Sequence, residues 1–144
     1  KRFNIEAAAR NRKPQSFIFA IGINDSYFEN TEDNPKVPTE RFEKNLHEVI
    51  KNAKKFSETI VFIGATNVDE SHMPRKGAKV WKNDRIQKYN AIIKKVCDEH
   101  HIPFLELFGI IDNEELPDGL HPDANGHEKM FQEIKNFLLL EKIL

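Results

Sequence analysis

Short runs of apolar residues alternate along the chain with longer segments whose apolar residues recur every three or four positions. The first run, residues 17–21, ends at Gly22 and predicts a strand buried on both faces. Two further runs, Thr59–Ile63 and residues 102–107, predict a second and a third strand. In the third, Pro103 stands at the start, where the loss of a ladder donor is tolerated.

Amphipathic segments between and after these runs predict three helices. The first begins with Thr39 as its cap and runs to about residue 55, and the second begins with Asn83 or Asp84 as its cap and ends near His100. The third follows a turn-rich segment, residues 116–126, and closes the chain. The predicted buried stripes are Phe42, Leu46, Val49, Ile50 and Ala53; Ile86, Tyr89, Ile92, Ile93, Val96 and Cys97; and Met130, Phe131, Ile134, Phe137 and Leu138.

The order strand, helix, strand, helix, strand, helix predicts one α/β domain, residues 1–144, with a parallel sheet and helices on both faces. In such sheets ligands bind beyond the carboxyl ends of the strands, so we expect the site just after residues 21, 63 and 107. The loop after the second strand has about eighteen residues and is a candidate binding loop. Its Trp81 and Met73 either line an acyl pocket or pack the loop onto the domain.

Composition narrows the classes of protein. The chain has 144 residues and a mass of 16.8 kDa, which is enough for one core without a staple. Twenty-two basic and 23 acidic side chains give a net charge of −1, which disfavours nucleic acid or an anionic membrane surface as a partner. The longest apolar stretch, residues 17–23, is too short to span a bilayer. A lone Cys97 excludes an internal disulfide and fits a cytoplasmic location.

Metal and nucleotide sites are disfavoured as well. Several His and Asp side chains fall in the last third of the chain, but none shows the spacing of a zinc site: His100, His101, His121, His127, Asp118 and Asp123. A glycine-rich phosphate loop is missing from the sequence. We therefore expect no metal and no cofactor.

Two polar clusters follow predicted strands. Asp118 and His121 lie three apart in a turn bounded by Pro and Gly, where the carboxylate can accept from the imidazole Nδ1–H and leave the other nitrogen as a base. The alternative is a turn Asp beside a surface His. Asn24 follows Gly22 by two residues, so its amide can donate to a developing oxyanion while Gly22 lets the chain turn close to a substrate. The alternative here is an Asx turn after a strand-ending glycine.

Taken together, Gly22-Ile23-Asn24-Asp25 and Asp118-Gly119-Leu120-His121-Pro122 resemble the third and fifth blocks of the SGNH hydrolases, the GDSL-type esterases and lipases. Their separation of about ninety residues and the Asn-Gly-His at positions 125–127 also fit that family. The resemblance implies a flavodoxin-like three-layer α/β/α fold and a serine esterase acting on small carboxylic esters or thioesters. It implies that His121 is the base, that Asp118 orients it, and that Asn24 is an oxyanion donor.

The sequence departs from that family at its first two blocks. It has no Gly-Asp-Ser, its first glycine is Gly22, and its four serines, at positions 16, 26, 57 and 71, lack the context of a nucleophile. The chain also opens, without Met, in helix-forming residues 1–12 with no cap before them. We expect the first two family strands and the serine upstream of Lys1, which would leave an apolar strand edge exposed here.

Two other functions remain open at this point. The chain is compatible with a non-catalytic SGNH-like binding module, and with an acyltransferase in which another hydroxyl intercepts the acyl-enzyme. Neither the acyl and alcohol specificity nor the oligomeric state follows from the sequence.

Overall fold

A computed structural model describes residues 6, 8, 16–30, 34–75 and 77–144. Its main sheet is parallel and has the order β1 (Ser16–Ala20), β3 (Thr59–Ile63), β5 (Phe104–Leu105). A short antiparallel pair, β2 (Phe28–Glu29) and β4 (Lys79–Val80), lies apart from it. Ala20 is opposite Ile63, which in turn is opposite Leu105, so the three carboxyl ends are level with one another. The predicted α/β class with a parallel sheet is confirmed.

Within residues 16–144, the described part of the chain contains four helices: α1 (Ile23–Ser26), α2 (Thr39–Ala53), α3 (Asn83–His100) and α4 (Ala124–Leu140). Single 3₁₀ turns lie at Glu70–His72 and Asn113–Glu115. Helices α2 and α3 pack against each other and against the sheet, because their apolar stripes meet. The cluster they form includes Phe42, Leu46, Ile50, Phe62, Tyr89, Ile93, Val96 and Cys97. Burial raises the pKa of the Cys97 thiol to about 12, so this cysteine is an inert core residue.

Strand β1 differs from its prediction. Side chains along it alternate between exposed and half-buried, and Ile18 is 46% exposed, so β1 is not buried on both faces. Within the described sheet it occupies an edge and pairs with β3. An apolar run reports hydrophobic side chains on both faces, but it does not report whether a second layer covers both faces.

Helix starts also differ in detail from the predicted caps. Thr39 is the first helical residue rather than the cap, which is Pro38. At α3 the Asn83 side chain instead bonds the main chain of Val68, at 2.9 Å in both directions, while the Glu70 carboxylate accepts from the Asn83 N–H at 2.8 Å. A long-range partner has therefore replaced the local cap. The third strand is shorter than residues 102–107, although the Pro103 carbonyl still accepts from Phe62 at 3.0 Å.

The last helix is less buried than its apolar stripe predicts. Leu138 is buried, but Met130, Ile134 and Phe137 are half-buried and Phe131 is 54% exposed. Most of the helix predicted at residues 1–12 lies outside the described residues. Glu6 and Ala8 are described within this segment, and both are helical. Among the described helices, none combines the length and hydropathy needed to cross a membrane.

Candidate active site

The two predicted polar clusters meet at the carboxyl end of the sheet. A cleft of about 330 Å³ is lined by Asn24 and His121 and by residues at the ends of β1 and β3. Its other lining residues are mostly apolar: Ala20, Ile21, Ile23, Ile63, Gly64, Ala65, Thr66, Leu120, Pro122, His127, Met130 and Ile134. The fold therefore brings Asn24 and His121, which lie about ninety residues apart in the sequence, to a single cleft.

Asp118 and His121 are in direct contact. The His121 Nδ1 lies 2.8 Å from Asp118 Oδ2, while Asp118 Oδ1 accepts from the main-chain N–H groups of Leu120 and His121 at 3.0 and 2.8 Å. The carboxylate thus closes the turn and orients the ring at the same time. With Nδ1–H donating to Asp118, Nε2 carries the free lone pair of the imidazole, on a side chain that is 70% exposed.

Arg75, which sequence reasoning did not single out, also binds Asp118. Its Nη2 lies 2.8 Å from Asp118 Oδ2, and its Nη1 donates to the Asp118 carbonyl at 3.0 Å. The Arg75 guanidinium, more than the hydrogen bonds from the His121 ring and the two main-chain N–H groups, holds the pKa of Asp118 well below its usual range. Asp118 is therefore ionised at any pH at which the protein would work.

Gly119 lets this turn pack closely on the 3₁₀ turn at Glu70–His72. Its φ is 78°, and a Cβ at this position would lie 2.4 Å from the His72 Cβ. The Gly119 carbonyl accepts from the Asp69 N–H at 2.9 Å. The glycine between Asp118 and His121 is thus required both by its backbone conformation and by its neighbour.

Gly22 has a different place from the one predicted. It is buried, has a φ of 116°, and a Cβ there would lie 3.2 Å from Ile93 Cδ1, and it is not among the residues that line the cleft. Its carbonyl accepts from the N–H groups of Asp25 and Ser26, both at 3.0 Å, and so begins α1. Gly22 therefore turns the chain against the core, and it is Asn24, on the exposed side of α1, that reaches the cleft.

The floor of the cleft is held by Asn90, a second residue missed in the sequence. Asn90 is 1% exposed, and its amide bonds both the N–H and the carbonyl of Ala65 at 2.9 Å and Glu106 Oε1 at 2.7 Å. These bonds fix the segment after β3 that lines the cleft. A signal existed, since Asn90 lies on the apolar face of α3, four residues after Ile86 and three before Ile93.

A groove adjoins the cleft and shares Asn24, Leu120 and His121 with it. Arg75, Gly77, Lys79 and Trp81 line its other side. Trp81 is buried, donates from Nε1 to the Ile23 carbonyl at 2.9 Å and has its ring 5.0 Å from that of Tyr27. Met73 packs against the same cluster. Trp81 and Met73 thus pack the loop onto the domain, and Trp81 also lines the groove next to His121.

None of the four serines lines the cleft or the groove in the part of the chain described. Ser26 is buried and donates to the Ile23 carbonyl at 2.9 Å. Ser71 Oγ lies 3.4 Å from His72 Nδ1, which is also the nitrogen 3.1 Å from Asp69. A triad needs its Ser and Asp on different imidazole nitrogens, so this cluster is not one. Across the described residues, no group of three or more His, Cys, Asp or Glu side chains is arranged to hold a metal ion.

Comparison with solved structures finds the same fold elsewhere. An α/β hydrolase from the metagenome of Lake Arreo, Spain, superposes with a TM-score of 0.66 and 16% identity over 94% of this chain and 64% of the other. An acetylxylan esterase from Geobacillus stearothermophilus gives 0.65 and 14% over 95% and 64%. A GDSL-like lipase from Bacteroides thetaiotaomicron gives 0.66 and 19% over 99% and 71%. At these identities the likeness concerns the fold.

Comparison of sequences identifies a relative and the family. A multidomain esterase from Ruminococcus flavefaciens is 28% identical over 127 residues, which are 81% of this chain but only 14% of that protein. The chain thus spans about one seventh of this relative and about two thirds of the structures above. The sequence pattern of the GDSL-like lipase/acylhydrolase family matches residues 1–129, nearly the whole chain, which confirms the resemblance carried by the two polar motifs. The chain therefore belongs to the GDSL-like lipase/acylhydrolase family.

Proposed function

We propose that the complete protein hydrolyses small carboxylic esters or thioesters through an acyl-enzyme. The observation that supports this most is the contact between Asp118 and His121, 2.8 Å apart, at a mostly apolar cleft that also holds Asn24. An apolar cleft with a few convergent polar groups is the usual form of a small-molecule site. The proposal rests on these three side chains together with the family membership.

In this proposal a serine hydroxyl attacks the ester carbonyl while His121 Nε2 takes its proton. A C–O bond forms to the serine, and the carbonyl oxygen becomes an oxyanion to which the Asn24 amide donates. The intermediate collapses when the imidazolium returns the proton to the leaving alcohol or thiol. Water then attacks the acyl-enzyme by the same sequence and releases the acid. Asp118 stays ionised throughout and holds the ring.

We place the nucleophilic serine in a segment outside the described residues, with residues 1–144 as the carboxyl-terminal three quarters of one domain. Two observations support this: the serines at 16, 26, 57 and 71 are absent from the lining of the cleft and the groove, and the family blocks found here are its third and fifth. Sequencing of the gene upstream of Lys1 tests the point. Gly-Asp-Ser after an apolar run there would support it.

The catalytic assignment is tested by two histidines of the same cleft. In the complete protein, His121→Ala should reduce turnover of p-nitrophenyl acetate to background, because among the described residues that line the cleft no other side chain is held by a carboxylate as Asp118 holds His121. His127→Ala is the matched control: His127 is exposed, lines the cleft from α4, and should retain kcat within a few-fold. An essential His127 with a dispensable His121 would contradict the assignment.

The same assay separates the alternatives. A series of p-nitrophenyl esters of increasing chain length, run with and without an added alcohol, reports hydrolysis and transfer side by side. Release of free acid as the main product supports the esterase. A transfer product that outpaces hydrolysis would instead indicate the acyltransferase, and saturable ester binding without turnover would indicate the binding module.

A further inference from the structure

Arg75 holds Asp118 by both its side chain and its main chain. One guanidinium nitrogen lies 2.8 Å from Asp118 Oδ2, and a second donates to the Asp118 carbonyl at 3.0 Å. Because the guanidinium is planar and rigid, two such contacts define both the position and the tilt of the carboxylate. The loop at residues 64–82 is thereby joined to the turn that carries His121.

Arg75 is itself held in place. Its main-chain N–H donates to the Lys79 carbonyl at 2.8 Å, and Gly77, with a φ of 80°, lies in the tight turn between them. The Arg75 side chain is only a quarter exposed. A guanidinium that starts from a fixed backbone and little free space loses few conformations when it binds, so its contacts with Asp118 are preorganised.

The same carboxylate oxygen serves two cationic partners. Asp118 Oδ2 is 2.8 Å from Arg75 Nη2 and 2.8 Å from His121 Nδ1. A carboxylate whose charge is already balanced by a permanent cation stabilises a second cation less, so we expect removal of the Arg75 charge to let Asp118 stabilise an imidazolium more strongly. Other titratable groups near this turn include Lys79 in the groove, His127 in the cleft, Asp123 at the start of α4 and His72, whose side chain packs against Gly119.

We propose that Arg75 is a positioning residue of this site, which fixes the Asp118 carboxylate against the His121 ring and balances part of the charge of that carboxylate. The inference rests on the proposed function for its catalytic meaning. Its physical content, the control of the His121 ring through Asp118, does not depend on which ester is cleaved.

The first test is the pH dependence of kcat/KM in the complete protein. In Arg75→Gln the acidic limb should move to higher pH by about 0.5–1 unit, less than the 1–3 units that a close charge produces at a shielded site. The value of kcat should also fall while KM changes little, since a misplaced ring affects the transition state rather than binding. A purely structural Arg75 would lower stability and leave the acidic limb where it is.

Two further variants separate charge from geometry. Arg75→Lys keeps the charge but cannot make both contacts, so its acidic limb should match that of the wild type while kcat is reduced. Lys82→Gln is the matched control, because it removes a cation of the same loop whose ion pair, 2.9 Å long, is with Glu70. Its pH profile should be that of the wild type. A shift of equal size in Lys82→Gln would overturn the inference.

The second test needs no activity. NMR titration of the His121 ring, identified by the signal lost in His121→Gln, should show proton uptake at higher pH in Arg75→Gln than in the wild type. An unshifted titration would overturn the inference even if the esterase is confirmed. An inactive wild type with a shifted titration would overturn the proposed function alone. If Arg75→Gln does not fold, Arg75→Lys decides through kinetics: a reduced kcat with KM and Tm near the wild-type values supports the inference, and an unchanged kcat overturns it.

Discussion

At the scale of single residues, the candidate site depends on exposed polar side chains that are carried by fixed turns of the backbone. Asn24 projects from a four-residue helix whose start is fixed by the buried Gly22. Asp118 is fixed by four groups and orients His121 in turn. The contacts of Asp118 restrict rotation of the His121 ring while leaving it exposed to a ligand, which is what catalysis through preorganised groups requires.

Asn24→Ala tests the oxyanion role. An amide aimed at the oxyanion matters mainly in the transition state, so kcat of the complete protein should fall by about 10²–10³ with little change in KM. Measuring kcat, KM and Tm on the same preparation separates this from an Asx-turn role. A lowered Tm with an unchanged kcat would remove Asn24 from the site.

Asp118→Asn tests the ionised state of the carboxylate through stability. The pKa of Asp118 is held well below the usual 3.8, chiefly by Arg75, so its stabilising effect is complete above the unfolded value and is lost as pH falls through the folded value. The difference in Tm between wild type and Asp118→Asn should therefore be constant above about pH 5 and narrow below about pH 4. A constant difference down to pH 3 would mean that Asp118 contributes through shape and not through charge.

At the scale of elements, the long loop at residues 64–82 acts as a brace for the turn at residues 118–121. Asp69 and Arg75 form hydrogen bonds with the main chain of that turn. Asn67 forms hydrogen bonds with Gly109 and Ile111, which precede the turn in the sequence. The loop is in turn held by Asn83 at the start of α3. The loop predicted as a candidate binding loop thus supports the site more than it covers it, although its Lys79 and Trp81 border the groove.

Gly119→Ala tests this brace. The positive φ alone costs about 1–2 kcal/mol for a residue with a Cβ, and the 2.4 Å approach to His72 should add about 1–3 kcal/mol of overpacking. Gly109→Ala is the matched control, with a φ of 85° and nothing within 4 Å of its Cβ. The free energy of unfolding, measured with denaturant, and kcat should both fall more in Gly119→Ala than in Gly109→Ala. Equal losses would mean that only the backbone conformation matters.

At the scale of the whole molecule, the described sheet has three strands, and the strand at one edge carries an exposed Ile18. The end of this strand lines the cleft, and so do the half-buried Met130 and Ile134 of α4. The arrangement combines an oriented base and a candidate oxyanion donor in a cleft lined by none of the described serines. It is compatible with the proposed reaction, in which the nucleophilic serine comes from another segment of the protein.

The 144-residue chain alone should therefore release no p-nitrophenol above background from p-nitrophenyl acetate, whereas the complete protein should turn it over. Rapid-mixing measurements on the chain should likewise show no burst of acyl-enzyme. A burst from the chain would contradict the proposal, and mass spectrometry of the acylated peptide would then identify Ser26 or Ser71 as its source.

The amino-acid sequence by itself determined the features that depend on local patterning. Strand β3, helices α2 and α3, the parallel α/β class and the family were all predictable, because each rests on periodicity or a short motif. The 2.8 Å contact between Asp118 and His121 was predictable as well, because two side chains three residues apart in a turn are close enough to form a hydrogen bond. Errors fell at boundaries, as with Thr39, where propensity alone does not choose between cap and first turn.

Only the tertiary structure decided the features that depend on residues distant in the sequence. Arg75 and Asp118 are 43 positions apart, and no pattern along the chain relates them. Gly22 and Asn24 resemble each other as candidates in sequence, yet packing against Ile93 buries the first while the turn of α1 exposes the second. The exposure of β1 likewise depends on which layers cover it. Contacts between distant segments arise from the packing of the whole core, so local patterns predict the elements but not which side chains meet.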